Sequence, residues 1–312
     1  MGGPHTPLTS VQPAPVEGAG CPRMFLQAAI SQERSGSLDE ALRGYEAVAD
    51  QAERESDRAT YSEALRRMAV VHQRRGDAGA ARELCERSLG VAAEIGDDLL
   101  GAESLNTLAS FDFEMGNMDL ARQRYQRALR LGGDHAPLRG RVEQNLGILC
   151  NIQGDHEGAV AHYARSLEAF EWVGDDRGRA IAYHNLGMVH ADRSQWEEAN
   201  RYFRESHALA TETGDVHLQG LCSLNHAEVF LAQQQYDRAR AGAESALAIF
   251  DRLDSRIDKA DAYKVIGRVF RETGRLALAE SRLKAAIEIA VSSASVLSVA
   301  EASRELALLY QA

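Results

Sequence analysis

Small apolar residues recur at fixed intervals along this chain, and their spacing predicts its helices. A helix-breaking position returns about every 40 residues, at Gly36, Gly76, Gly116, Gly154, Ser194, Gln234 and Gly274. An alanine stands five residues after every break, at Ala41, Ala81, Ala121, Ala159, Ala199, Ala239 and Ala279. A break with the same surroundings in seven places predicts seven helical hairpins, fourteen helices in all, with a fifteenth helix at about 294–311.

Two further positions complete the packing pattern of each predicted hairpin. Seven residues before every break stands Ala or Gly, and nine residues after most breaks stands a larger residue, such as Tyr163 or Phe203. Antiparallel helices joined by a tight turn approach closely only where small residues lie at the crossing, and a larger neighbour fills the remaining gap. Glycine at the break supplies a left-handed helix end. Ser194 and Gln234 are exceptions, so we expect another turn geometry there.

A second break follows several of the predicted second helices. Gly-Asp pairs stand at 96–97, 174–175 and 214–215. Glycine can end one helix and aspartate can cap the next. The third repeat measures 38 residues, and its Gly-Asp pair at 133–134 comes early. The sequence therefore predicts that the two missing residues lie in the linker after that repeat.

The small, small, large spacing resembles the tetratricopeptide repeat, most clearly over residues 142–170 and 182–215. The usual unit has about 34 residues, whereas the unit here has about 40. Long units of this kind resemble those of Pins-type adaptors, kinesin light chains and bacterial Rap-type arrays. The resemblance implies an all-α fold, a right-handed superhelical solenoid whose concave groove is lined by the first helix of each pair.

The chain is expected to have three parts. Residues 1–22 contain five of the six prolines and predict a disordered tail. Residues 23–293 hold the seven repeats. Residues 294–312 match the first helix of an eighth repeat without its partner, and this helix is not very polar. Such a helix either caps the array imperfectly, self-associates, or belongs to a longer protein.

Three asparagines stand nine residues before successive breaks, at Asn145, Asn185 and Asn225. The resemblance implies that this position points into the groove, where asparagine bonds the backbone of a bound extended peptide. An amide offers a donor and an acceptor together, which suits a peptide unit of any sequence. Alternatively, these side chains bind the backbone of the neighbouring repeat or water.

Other residues at predicted groove positions are mixed in character. The polar ones are Asn106, Arg141, Gln144, Asn151, His184, Glu228, Lys264 and Arg268, and the apolar ones are Ile148, Met188, Leu224 and Leu231. An apolar floor with dispersed charges suits a peptide or an amphipathic helix. Lys264, Arg268 and Arg271 form a basic stripe that either receives an acidic segment or is a solvated face.

Charge and cysteine usage narrow the functional classes. The net charge is -11 and the pI is near 5.4, which argues against a nucleic-acid partner. No apolar run is long enough to cross a membrane, so we expect no membrane partner. The four cysteines at 21, 85, 150 and 222 have neither disulfide-framework nor zinc spacing. They predict buried, reduced thiols in a cytoplasmic protein.

The sequence contains no motif for nucleotide binding, metal-dependent hydrolysis or a nucleophilic serine. We therefore expect neither enzymatic activity nor a cofactor or metal. The preferred hypothesis is a protein–protein interaction scaffold that holds a peptide or helix of a partner in its groove. The alternative is a regulatory input domain of a longer bacterial signalling protein with an enzymatic or transcriptional output module.

Overall fold

A computed structural model of the protein describes residues 22–34, 36–293 and 295–311, and every regular element within these ranges is an α-helix. The helices are α1 (Pro22–Arg34), α2 (Leu38–Arg54), α3 (Arg58–Arg74), α4 (Ala78–Ile95), α5 (Asp98–Glu114), α6 (Met118–Gly132), α7 (Ala136–Ile152), α8 (His156–Val173), α9 (Asp176–Asp192), α10 (Trp196–Glu212), α11 (Val216–Ala232), α12 (Tyr236–Arg252), α13 (Arg256–Glu272), α14 (Leu276–Ser292) and α15 (Val296–Gln311). The predicted all-α fold is confirmed. The predicted disordered tail, but for Pro22, lies outside the described residues.

Six pairs of successive helices pack as hairpins, as the periodic alanines predict: α1 with α2, α3 with α4, α7 with α8, α9 with α10, α11 with α12 and α13 with α14. All seven alanines of the pattern are fully buried. The small residues seven positions before the break meet the large residues of the second helix. A Cβ added to Gly187 would lie 2.6 Å from the Phe203 ring, and one added to Gly147 would lie 2.5 Å from Tyr163. The small and large positions therefore set how closely each pair of helices packs.

The chain divides within α5 into two compact units, residues 1–111 and 112–312. In the first unit, Tyr45 and Val48 are fully buried in a core that also holds Leu65 and Val71. In the second unit, hydrophobic clusters follow one another along the hairpins from Cys150 to Leu309. All but one of the predicted groove residues belong to this second unit.

The two unusual turns use the same geometry as the glycine turns, so the expectation of another geometry was wrong. Ser194 has φ 56° and Gln234 has φ 60°, both left-handed. The reason is the helix end itself, where the amide of the following residue bonds to the carbonyl five residues earlier: Gln195 N donates to His190 O at 2.8 Å. The predicted Gly-Asp caps are confirmed, as in Asp175, which accepts from Gly178 N at 2.9 Å.

The short third repeat loses its residues from a helix rather than from the linker, which corrects the sequence prediction. Helix α6 has 15 residues where α10 and α12 have 17, and its connection to α7 keeps three residues. The linker keeps its length because its last residue caps α7: His135 accepts from Leu138 N and fixes where α7 begins.

A cavity of about 500 Å³ lies beside this connection. It is edged by Trp172, which is 86% exposed.

Candidate functional site

The first helices of the hairpins form one continuous layer in the second unit. Helix α7 contacts α9, α9 contacts α11, and α11 contacts α13, whereas no described second helix of this unit approaches the next second helix as closely. Because the first helices lie closer together, the stack of this unit curves toward them. We call the surface formed by α7, α9, α11 and α13 the groove.

The structure brings ten of the eleven predicted site residues onto these four helices. They are Arg141, Gln144, Asn145 and Asn151 on α7, His184 and Asn185 on α9, Asn225 and Glu228 on α11, and Lys264 and Arg268 on α13. Arg141 is exposed, His184 is buried and the other eight are half-buried. Asn106 is half-buried on α5 and belongs to the first unit.

Asn185 carries an unpaired hydrogen-bond donor. Its side-chain Nδ2 is buried and has no hydrogen-bond partner. Leaving a buried amide donor unpaired costs about 1–3 kcal/mol, so such groups are rare in folded proteins. An acceptor supplied by a ligand would remove this cost.

Asn225 is held by the neighbouring repeat. Its Nδ2 donates to His184 Nε2 at 3.2 Å and lies 2.9 Å from Met188 Sδ. Both partners lie on α9, 37 and 41 residues away. For Asn225, the contact within the array foreseen as an alternative therefore exists, although it is made to side chains rather than to the backbone.

His184 is a neutral core histidine. Its ring lies 5.7 Å from the Phe203 ring and its Nδ1 lies 3.7 Å from Cys222 Sγ. Burial, and to a smaller extent the charge of His217, lowers the pKa of His184 to about 4. Because Asn225 donates to Nε2, the single ring proton lies on Nδ1 and faces the Cys222 sulfur.

The Cys222 thiol beside this histidine is not an activated nucleophile. Burial raises the pKa of Cys222 to about 11, although the hydrogen bond to Ser206 opposes the shift. The thiolate, which is the reactive form, is therefore scarce at neutral pH. The Cys–His contact packs α9 against α11 and offers no catalytic dyad.

The basic stripe on α13 is already paired with acidic residues of α15. Lys264 bonds Asp261 at 3.1 Å and also bonds Glu301. Glu305 accepts from Arg271 Nη1 at 2.7 Å and lies 3.8 Å from Arg268 Nε. The acidic segment that the sequence suggested for this stripe is thus a helix of the same chain.

Sequence reasoning missed Glu301 and Glu305 as partners of the stripe. The sequence did contain a signal for this pairing. Glu301 follows Lys264 by 37 residues, and Glu305 follows Arg268 by the same number, which is the 40-residue repeat shortened by about one helical turn. At the other side of Arg268, Glu228 Oε1 lies 3.7 Å from Nη1. Burial raises the pKa of Glu228, and the charges of Lys264 and Arg268 oppose that rise.

Two of the four apolar groove candidates are not available to a ligand, which corrects the prediction. Leu224 and Leu231 are 5% and 7% exposed. They fill the space toward α13, where Leu224 packs with Val265 and Leu231 packs with Val269. Met188 and Ile148 are half-buried and keep some surface on the groove.

The described residues, 22–34, 36–293 and 295–311, bear on the metal, membrane and cysteine predictions. There, no group of three His, Cys, Asp or Glu residues is placed to hold a metal ion. In the same part of the chain, no helix has both the length and the apolar character needed to span a bilayer. Cys85, Cys150 and Cys222 are buried free thiols, as the sequence predicted, and Cys21 lies outside the described residues.

A family model of the tetratricopeptide repeat matches residues 60–134, 101–172, 138–212 and 217–290, well over half of the chain. The chain belongs to the tetratricopeptide repeat family. Among curated proteins, this tetratricopeptide repeat chain is 24% identical over 239 residues to the 43 kDa receptor-associated protein of the synapse from Tetronarce californica. The match covers 72% of this chain and 56% of that protein, so the chain spans little more than half the length of this relative.

Solved structures share the tetratricopeptide repeat fold at low identity. One is a signal transduction ATPase with numerous domains and a tetratricopeptide repeat sensor from Pyrococcus horikoshii, with TM-score 0.71 and 17% identity over 93% of this chain and 44% of that chain. Another is a Rap protein complexed with Competence and Sporulation Factor, with TM-score 0.66 and 13% identity over 92% of this chain and 87% of that chain. These likenesses establish the fold.

Proposed function

We propose that the protein is a protein–protein interaction scaffold that binds an extended peptide or a helix of a partner protein in the groove of its second unit. The unpaired Nδ2 of Asn185 is the observation that carries the proposal. A peptide carbonyl accepting from this amide would satisfy a donor that the fold leaves unsatisfied. The proposal includes no catalytic step and no cofactor.

The surroundings of Asn185 suit a peptide ligand. Arg141, Gln144 and Asn145 on α7 add polar groups, and Met188 adds a soft apolar contact that adapts to different side chains. A complex of a Rap protein with Competence and Sporulation Factor has a similar fold, which supports a ligand-holding role here. The free thiols Cys85, Cys150 and Cys222 fit a reducing compartment, and we place the protein in the cytoplasm.

The groove assignment is tested by affinity capture from the source cells with matched variants. The chain with Asn145→Ala and Asn185→Ala should fold and lose its captured partner. Asn200→Ala is the control, because Asn200 lies on the second helix α10 and also has a buried, unpaired side-chain atom. Partners retained equally by the double variant and the control would contradict groove binding.

The exposed surface of α15 supports a further part of the proposal, association of two copies through this helix. Leu297, Leu308 and Tyr310 are exposed there. Sedimentation equilibrium should report a concentration-dependent dimer that Leu297→Glu weakens. A monomer at all concentrations would remove this part of the proposal and leave groove binding untouched.

A second candidate is a sensory input domain of a longer signalling protein. It is favoured by the similarity to a signalling ATPase with a tetratricopeptide repeat sensor, of which this chain spans less than half. Intact-mass measurement of the native protein distinguishes the two candidates. A mass well above 34.1 kDa with an output module supports the input domain, and a mass near that value supports the scaffold.

A further inference from the structure

A second cavity, of about 360 Å³, lies between the second helices α10 and α12, with the first helix α11 as its floor. Arg204 and His207 line it from α10, His226 from α11 and Gly242 from α12. Because it opens between second helices, this cavity is separate from the groove.

The cavity lies where the side chains of the sixth repeat differ from those of its neighbours. In the fourth, fifth and seventh hairpins two positions face each other, one eleven residues before the break and one eight residues after it. Three repeats fill them with interacting side chains: Glu143 with His162 at 2.6 Å, Tyr183 stacked on Tyr202 at 6.1 Å, and Tyr263 with Arg282 at 5.6 Å. The sixth repeat has Ser223 and Gly242 instead. The cavity lies where those three repeats have an interacting side-chain pair.

Helix packing explains only one of the two small residues, Gly242. A Cβ on Gly242 would lie 3.2 Å from both Ala227 Cβ and Ser223 O, so glycine eases the approach of α12 to α11. That contact gives no reason for a small residue at 223, where the neighbouring repeats have tyrosine. The loss of both members of the pair leaves an open site of the size that small ligands occupy.

The cavity is positively charged in an acidic protein. None of its lining residues is acidic, although the whole chain has a net charge of -11. Burial and then the charges of Arg204, Arg238 and His207 lower the pKa of His226 to about 4. The neutral His226 ring stacks on Phe230 at 4.8 Å, and the guanidinium of Arg238 lies over the Phe230 ring at 3.9 Å.

We propose that this cavity binds a small organic anion, a carboxylate or a phosphate monoester attached to a flat apolar group. Arg204 and His207 would contact the anion by charge-assisted hydrogen bonds. The stacked rings of His226 and Phe230 would contact the flat part of the ligand. The site is independent of the proposed groove, so the protein would hold a small molecule and a partner on different surfaces.

The test follows the His226 imidazole resonances of the full chain by NMR, assigned with a His226→Gln variant. Phenyl phosphate and benzoate are the two anionic probes, and phenol is the neutral probe of similar shape. A saturable shift with either anion, with phenol binding at least about tenfold more weakly, supports the site. The more tightly bound anion identifies whether phosphate or carboxylate is preferred.

Two arginine variants separate specific contact from general electrostatics. Arg204→Gln should weaken binding of the preferred anion about tenfold, the effect of losing one charge-assisted hydrogen bond. Arg252→Gln, which removes an equal charge from an exposed position on α12, should leave the affinity unchanged. No saturable shift with either anion, equally tight binding of phenol, or equal effects of the two substitutions would each overturn the proposal.

Discussion

Single residues of fixed size determine how closely the two helices of each hairpin approach. Gly187 lies against the Phe203 ring, and Gly147 lies against Tyr163 in the same way. Any larger residue at these positions must displace an aromatic ring within a close-packed core. The consequence is a measurable penalty for even one added methyl group.

Gly187→Ala should lower the free energy of unfolding by about 1–3 kcal/mol, because its Cβ would lie 2.6 Å from Phe203. Denaturant unfolding monitored by circular dichroism measures the change. The matched control is Gly79→Ala in α4, where the nearest atom is 3.9 Å away and the position is exposed, so that alanine should stabilise the helix. Equal effects of the two substitutions would contradict the packing account.

Non-glycine residues in the left-handed backbone conformation are a second kind of position where a single side chain changes stability. Gln234 has φ 60°, a conformation that a side chain disfavours by about 1–2 kcal/mol. Gln234→Gly should therefore raise the free energy of unfolding, by about 0.5–1 kcal/mol once the flexibility of glycine in the unfolded chain is included. A lower melting temperature for this variant would show that the glutamine side chain compensates for the strain.

Buried His184 makes stability depend on pH. Its pKa falls from 6.5 to about 4 on folding, so between these values the unfolded chain binds a proton that the folded chain does not. The free energy of unfolding should fall as the pH drops through this window, by about 1.4 kcal/mol per pH unit from this residue. Urea unfolding of His184→Gln should show a shallower slope, and an unchanged slope would exclude the contribution.

Elements are joined to one another by polar contacts between successive first helices. Asn225 joins α11 to α9, and Glu305 joins α15 to Arg268 and Arg271 of α13. The side chains of Arg271 and Glu305 are mostly buried, so their ion pair is screened less than a surface pair. This contact helps to hold the last helix on the array.

Glu305→Gln should loosen α15, because it leaves the Arg271 guanidinium with less compensation, at a cost of about 1–3 kcal/mol. Hydrogen exchange should become faster in α15 while α7 to α11 stay protected. Glu40→Gln is the control, since its pair with Arg43 is exposed and contributes little. Unchanged exchange in α15 would show that apolar contacts such as Leu309 hold the helix alone.

At the scale of the whole molecule, the sequence predicted what repeats locally and missed what depends on the rotation from one repeat to the next. Helix positions, buried alanines and aspartate caps follow from spacing within 40 residues. The contact of Asn225 with His184, the burial of Leu224 and the pairing of Lys264 with Glu301 join different repeats. They depend on the angle between hairpins, which the period alone does not give.

The residues of the two proposed sites could be predicted from the sequence, but their contacts could not. The spacing of the asparagines and the resemblance placed Asn145, Asn185 and Asn225 at one repeat position, but only the packed structure distinguishes a held amide from an unpaired one. The cavity at Gly242 was visible in the sequence as two small residues where the two flanking repeats have large ones. Its positive charge required the placement of Arg204 and Arg238 around His226.

The most direct test of the central claim is the affinity of the captured partner segment, prepared as a peptide, for matched asparagine variants. Loss of one hydrogen bond to the peptide backbone should raise the Kd of Asn185→Ala about three- to tenfold, while Asn200→Ala binds like the unmodified chain. Isothermal titration calorimetry at one salt concentration measures both. A Kd unchanged by Asn185→Ala, or raised equally by Asn200→Ala, would contradict binding in the groove.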